Sequence, residues 1–263
     1  MLTVTSINSP AKKVRNSSMA RPCPLLSFLS FFFFFLPCLS CPEDQKQALL
    51  QFKSSILAAT TSFNSSNFEL QSWNSSSSCC RWLRVECNDS PNSTSRVVIS
   101  LDLMGGLYIY PSPEPPLPST ILAPIFHIRS LKWLYISNNN IQGEIPAVGF
   151  ANLSNLVSLD MSGNNFSGSI PPQLFHLPLL QYLNLDRNSL SGKIPEEIGN
   201  LSRLQDLSLS GSRFSDGMLL SVLSLKGLEL LDLSDNDLSM EIPKEIRNLP
   251  NIFGVEQIMH IKP

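Results

Sequence analysis

Leu131-Lys132-Trp133-Leu134-Tyr135-Ile136-Ser137-Asn138-Asn139-Asn140-Ile141-Gln142-Gly143-Glu144-Ile145-Pro146 sets out the frame LxxLxIxxNxIxGxIP. The frame returns at Leu156, Leu159, Met161, Asn164, Phe166, Gly168, Ile170 and Pro171. It returns again at Leu180, Leu183, Leu185, Asn188, Leu190, Gly192, Ile194 and Pro195, a period of 24 to 25 residues. A fourth copy keeps Leu204, Leu207 and Leu209, but Ser212 replaces the asparagine, Asp216 the glycine, and Met218-Leu219 the Ile-Pro pair. A fifth keeps Leu228, Leu231, Leu233, Asn236, Leu238, Ile242 and Pro243, with Met240 where glycine stood. Self-similarity at a fixed period of this size marks a stack of like units.

Each repeated position has a physical task. The LxL pair places two side chains on one face of a short strand, and stacking the repeats joins those faces into one core. Burying one such side chain contributes roughly 1.5 to 3 kcal/mol, so one repeat cannot stand alone but several can. The asparagines Asn139, Asn164, Asn188 and Asn236 form a predicted ladder, satisfying backbone groups where the chain turns out of each strand. Glycine followed by Ile-Pro suits a bend and then an extended segment on the far side of the coil. Ser212 reaches less far than asparagine, which predicts a looser fourth repeat.

The period, the asparagine and the Ile-Pro pair together resemble the plant-specific class of leucine-rich repeats over about Cys41 to Asn251. That class occurs in plant receptor kinases, receptor-like proteins and polygalacturonase-inhibiting proteins. The resemblance implies an α/β repeat fold: a right-handed solenoid with a parallel β-sheet on the concave face and a disulfide-bonded helical N-terminal cap. On that reading residues 41–95 are the cap, 96–130 an irregular first repeat with a proline-rich insertion, 131–249 five repeats, and 250–263 an incomplete repeat or divergent tail.

A terminal coil exposes its core unless something covers it. Ala48, Leu49, Phe52 and Ile56 recur at helical spacing behind Pro42, Glu43 and Asp44, a favourable helix start. Trp73 and the run Cys79-Cys80-Arg81-Trp82-Leu83-Arg84-Val85-Glu86-Cys87 resemble the family's cap, with Arg84 where glycine is usual. A bond between the neighbours Cys79 and Cys80 would be badly strained, so pairing runs outward. The family pattern implies Cys41 with Cys79 and Cys80 with Cys87. A zinc site is the competing use of these cysteines, and no histidine or CxxC pair accompanies it. The five prolines Pro111, Pro113, Pro115, Pro116 and Pro118 read as a surface loop in preference to an SH3-type ligand.

Residues 1–40 carry Arg21, an apolar block from Leu25 to Leu36 and a small-residue flank at Pro37-Cys38-Leu39-Ser40. The block is too short for a membrane span, which needs roughly 20 apolar residues, and reads as a secretory signal with Met19 as the start and Met1 to Ser18 as an upstream extension. Cys23 and Cys38 fall within it, leaving the even set Cys41, Cys79, Cys80 and Cys87 for an oxidising compartment. The predicted location is therefore extracellular, and the resemblance implies that full-length relatives are anchored in the plasma membrane. After Ile246, Leu249, Ile252 and Val255, Gln257 breaks the apolar spacing, and the chain reads as a truncated or alternatively ended member of its class, without a transmembrane helix of its own.

The 263 residues are 43% hydrophobic and 15% charged with a net charge of -2, enough for a core and offering no basic patch for nucleic acid. No catalytic constellation, cofactor motif or metal set is visible. His127, His176 and His260 lie far apart in the frame, and the carboxylates Asp160, Asp186 and Asp232 read as exposed strand residues, so the chain is read as a non-enzyme. Alternation presents the residues between the leucines on the concave side. The candidate ligand-binding set is Lys132, Trp133, Tyr135, Asp160, Gln181, Tyr182, Asn184, Asp186, Arg187, Asp206, Glu229 and Asp232, with Ser137, Val157, Ser158, Ser162, Gln205, Ser208, Ser210, Leu230 and Ser234 also facing that way. Trp133, Tyr135, Tyr182 and Arg187 are residue types enriched at binding hot spots. Sequons begin at Asn64, Asn74, Asn88, Asn92, Asn152, Asn165 and Asn200 and mark glycan sites in a secreted chain. The resemblance implies recognition of a peptide, glycan or protein ligand in defence or development, with receptor-kinase co-receptors as partners. The competing expectations are a soluble inhibitor of microbial wall-degrading enzymes, like the polygalacturonase inhibitors, and a non-functional fragment.

Overall fold

The computed structural model describes residues 41–60, 69–88, 96–107, 115–215 and 219–238. The predicted signal, the residues 108–114 of the proline-rich insertion, Asn64, Asn92, Asp216, Met218, the Met240-Ile242-Pro243 end of the fifth repeat, His260 and the tail lie outside them.

The leucines of successive repeats stand in single file. Leu101 pairs in register with Leu134, Leu134 with Leu159, Leu159 with Leu183, Leu183 with Leu207 and Leu207 with Leu231. All six are buried, as are the second members of the pairs: Leu103, Ile136, Met161, Leu185, Leu209 and Leu233. The strands that carry them are Val98–Asp102, Trp133–Tyr135, Ser158–Asp160, Tyr182–Asn184, Asp206–Ser208 and Leu230–Asp232. They run parallel, and Val85–Cys87 of the cap closes one end of the sheet by pairing antiparallel with the first of them.

A second, five-stranded parallel sheet forms on the far side of the coil from Leu117–Pro118, Ile141–Glu144, Asn165–Gly168, Ser189–Lys193 and Arg213–Ser215. Its glycines take left-handed φ values, +106° at Gly143, +78° at Gly168 and +83° at Gly192, where a side chain would strain the bend. Short helical turns at Ser119–His127, Ala147–Phe150, Pro172–His176, Glu196–Asn200 and Leu219–Val222 complete the coils. His127 and His176 each end one of these turns, at matching places on the far side from the first sheet. Together the sheets and turns make a right-handed leucine-rich-repeat solenoid with its main sheet on the concave face. Its outer layer is packed by Phe126 and Phe150, whose rings lie 4.9 Å apart. A methyl group on Gly149 would fall within 2.4 Å of the Phe126 ring, so the frame needs glycine there for closeness and not for its φ.

The asparagines knit neighbouring coils. Asn164 donates through Nδ2 to the carbonyls of Ile136, Met161 and Ser162, and its Oδ1 accepts the N–H groups of Asn139 and Ile141. Asn188 and Asn236 repeat the pattern, reaching back to Met161 and Leu209 and accepting from Phe166 and Phe214. Asn139, fully buried, accepts from Leu107 and donates to Leu103. Ser212 makes one long bond, 3.4 Å from its Oγ to the Asn188 carbonyl.

The residue just before each ladder position is left-handed: Asn138 at φ +58°, Gly163 at +61°, Arg187 at +51°, Gly211 at +63° and Asp235 at +52°. Asparagine, glycine and aspartate tolerate that region at little cost, whereas arginine is strained there.

The cap is the helix Glu43–Ala59, whose buried face carries Ala48, Leu49, Phe52 and Ile56. Cys41 is bonded to Cys79 and Cys80 to Cys87. Trp73 stacks on Trp82 at 5.5 Å and touches Phe52 at 6.2 Å. Gln45 splices the helix to the first repeat, its Oε1 accepting from the Val98 N–H while its Nε2 donates to Ser130 Oγ, which in turn donates to the Val98 carbonyl. Arg84, at φ +70°, pairs with Glu69 and donates to the Asp102 carbonyl, so the residue that departs from the family's glycine ties cap to repeat.

Candidate functional site

Register turns the residues between the leucines into two outward rows on the sheet. The first reads Ser100, Trp133, Ser158, Tyr182, Asp206 and Leu230, and the second Asp102, Tyr135, Asp160, Asn184, Ser208 and Asp232. Lys132, Gln181 and Glu229 precede their strands on the same side, Lys132 and Glu229 being exposed and Gln181 half-buried. Lys132 Nζ sits 6.0 Å from the centre of the Trp133 ring, at the range of a cation–π contact. Tyr182 and Leu230 are the most open large side chains of the rows, 41% and 40% exposed.

Three expected members of this face are placed differently. Ser137 is 1% exposed and Ser158 8%, so neither is open to solvent. The Ser137 carbonyl accepts the Gly105 N–H of the preceding turn. Arg187 is exposed but stands in the left-handed turn beyond the strand, at the rim.

The carboxylates are half-buried and engaged, in place of the plain exposure read from the sequence. Asp160 Oδ1 accepts from Ser162 N–H and Oγ, and Asp232 Oδ1 does the same with Ser234. Asp186 reaches across to the next coil, accepting from Ser208 Oγ and the Ser210 N–H. Burial raises its pKa, the two serines pull it back, and the charge of Asp232 adds to the rise. Asp206 is also raised, by burial and then by the charge of Glu229. The position of Ser137 matches those of Ser162 and Ser234, but Tyr135 stands where their aspartates do. The Ser137 hydroxyl consequently finds no partner among the described residues.

Of the sequons within the described residues, Asn74, Asn152, Asn165 and Asn200 are exposed. Asn74 lies in the cap, Asn152 behind the turn Ala147–Phe150, Asn165 on the outer sheet and Asn200 at the end of an outer turn. Asn88 is half-buried, its Oδ1 taken by the Val97 N–H. None of these five stands on either row. The sulfur atoms of Cys41, Cys79 and Cys80 lie within 4.8 Å of one another, but all three are in disulfides and offer no thiolate to a metal. Among the described residues no helix is long and apolar enough to cross a membrane.

Known proteins share this architecture. Residues 42–88 match the leucine rich repeat N-terminal domain, 129–175 a two-copy leucine-rich-repeat model, and 164–214 and 227–249 two further leucine-rich-repeat models. The chain belongs to the leucine-rich-repeat proteins. Within them it is a plant-type receptor-like sequence: it is 43% identical over 161 residues to Receptor-like protein 46 of Arabidopsis thaliana, across 60% of this chain and 19% of that protein. It thus spans about a fifth of that relative's length. Among solved structures, the Arabidopsis receptor kinase HAESA, in complex with the peptide hormone IDA and the co-receptor SERK1, superposes with a TM-score of 0.65 at 31% identity, over 80% of this chain and 33% of that one. The Arabidopsis BIR3–SERK2 complex gives a TM-score of 0.57 at 29% identity, over 73% and 95%.

Proposed function

We propose that this chain is an extracellular recognition module that works by binding, not catalysis, and that it takes a peptide, glycan or protein ligand on the two outward rows of its concave sheet, with receptor-kinase co-receptors as partners in defence or developmental signalling. The observation that carries the reading is the register itself. Five strands align Trp133, Tyr182, Asp206 and Leu230 in one line and Tyr135, Asp160, Asn184 and Asp232 in the next. Aromatic side chains on a rigid sheet give contact area at low entropic cost. The exposed sequons among the described residues lie off the rows. The superposition on HAESA, whose structure contains a peptide hormone, supports the same assignment.

The test is ligand capture from plant extracellular fluid by the secreted, glycosylated protein and by two variant pairs. Trp133→Ala with Tyr182→Ala is expected to abolish capture. Glu144→Gln with Arg213→Gln, on the outer sheet, is expected to retain it. Equal capture by both pairs would remove the concave sheet as the site. Export is checked separately by fusing residues 1–40 to a reporter, which is expected in the culture medium.

A further inference from the structure

We propose that the sheet face is graded to hold an extended cationic peptide, its basic side chain over Asp206 and Glu229 and its apolar one over Trp133 and Tyr135. The inference rests on the recognition reading and narrows its ligand. The two halves of the face differ in chemistry. Lys132, Trp133 and Tyr135 occupy the half near the cap, where the carboxylate Asp102 is paired with Arg84, whereas Asp186, Asp206, Glu229 and Asp232 occupy the other. The rows and their edges carry the carboxylates Asp102, Asp160, Asp186, Asp206, Glu229 and Asp232 against the cations Lys132 and Arg187. That surplus of four exceeds the net charge of -2 of the whole chain.

The carboxylates are not equivalent. Asp160, Asp186 and Asp232 have their oxygens occupied by serines. Among the described residues Asp206 and Glu229 have neither a hydrogen-bond donor nor a cation. They repel each other in a partly desolvated place, which favours protonation of Asp206. Tyr182 and Leu230 flank Asp206 in register, on strands to either side. A guanidinium between the two carboxylates would relieve their repulsion, and its stem would lie along the Tyr182 ring or Leu230.

Spacing follows from geometry. Trp133 and Asp206 are three strand steps apart in the sheet. At about 4.8 Å per step and about 3.3 Å per extended residue, the apolar and basic side chains of the ligand stand roughly four residues apart.

The probe is a synthetic pair of peptides, acetyl-Leu-Gly-Ser-Gly-Arg-amide and its isosteric citrulline counterpart, which lacks the charge. Fluorescence anisotropy on the folded protein at low salt is expected to show about a tenfold preference for arginine, a difference of about 1.4 kcal/mol. The double variant Asp206→Asn/Glu229→Gln is expected to lose that preference while its melting curve stays cooperative. Glu144→Gln on the outer sheet is expected to keep it. The proposal falls if the wild-type chain does not distinguish the two peptides, or if the double variant still does. Should that happen while Trp133→Ala with Tyr182→Ala still abolishes ligand capture, the cationic ligand is wrong and the concave site stands. If both tests are flat, both readings fall.

Discussion

The cap and the repeats solve the same problem, covering apolar surface, by opposite means. From Cys41 to Cys87 the stabilising features follow no repeat: two disulfides, one Trp73–Trp82 stack, one Gln45 splice and one arginine bridging Glu69 to Asp102. From Leu131 onward each feature is repeated, so a worn copy such as the fourth repeat persists between intact neighbours. A cap stands or falls on single groups, whereas a solenoid degrades by increments.

The largest effect expected from this difference is in the cap. The Cys41–Cys79 bond closes a loop of 38 residues, and removing it with Cys41→Ala/Cys79→Ala costs about 4 kcal/mol in the chain-entropy model. Trp73 fluorescence and a thermal melt are expected to report early loss of the cap, with the repeats melting as a separate, later step. A single transition at the original temperature would show that the cap is also redundant.

Within the repeats the ladder offers a matched pair. Asn164→Ala removes bonds to three carbonyls and two N–H groups, leaves them facing a dry core, and is expected to cost about 2 to 4 kcal/mol by chemical denaturation. Ser212→Asn restores the missing rung and is expected to stabilise by about 1 kcal/mol, with slower amide exchange across 204–215. If the serine chain already exchanges as slowly as 180–190, the fourth repeat is not loose and the pair loses its meaning.

How much of this was open to sequence reading depends on whether a position is governed by periodic or by pairwise physics. The leucine file, the asparagine ladder, the Ile-Pro bends and the cap helix follow from alternation and period, and they were legible. Ser137 was misread because alternation fixes which way a side chain points but not what the neighbouring turn lays over it. Gly149 was missed because its need arises only from the ring of Phe126 one coil away. Asp186 read as a plain strand residue, since its bonds to Ser208 and Ser210 cross coils. The left-handed column could have been seen: Asn138, Gly163, Gly211 and Asp235 are all types that tolerate positive φ, one residue before the ladder.

That column sharpens the comparison through two arginines. Arg84 in the cap and Arg187 in the third repeat are both left-handed, at φ +70° and +51°. Arg84 is compensated by Glu69 and the Asp102 carbonyl, whereas Arg187 has no side-chain bond among the described residues. Arg187→Gly is expected to stabilise by about 0.5 to 1 kcal/mol. Arg84→Gly relieves the same strain but cuts the tie between cap and repeat, and its expected result is a net loss. Equal gains at both sites would mean that the cap network contributes nothing.

The smallest effect belongs to the graded sheet face, which no repetition explains. Asp206 has its pKa raised in the folded chain by burial and by Glu229, so the folded state holds its proton more tightly than the unfolded state. The stability this represents is complete below the ordinary aspartate range and disappears as pH rises through the raised value. Above it, the ionised carboxylate sits beside Glu229 at a cost that Asp206→Asn removes. The variant is therefore expected to melt slightly higher than the wild type at neutral pH and at the same temperature in acid. Since Asp160, Asp186 and Asp232 keep their serine partners in that variant, a difference that persists in acid would have to come from packing, and the face would then be built for stability instead of for charge.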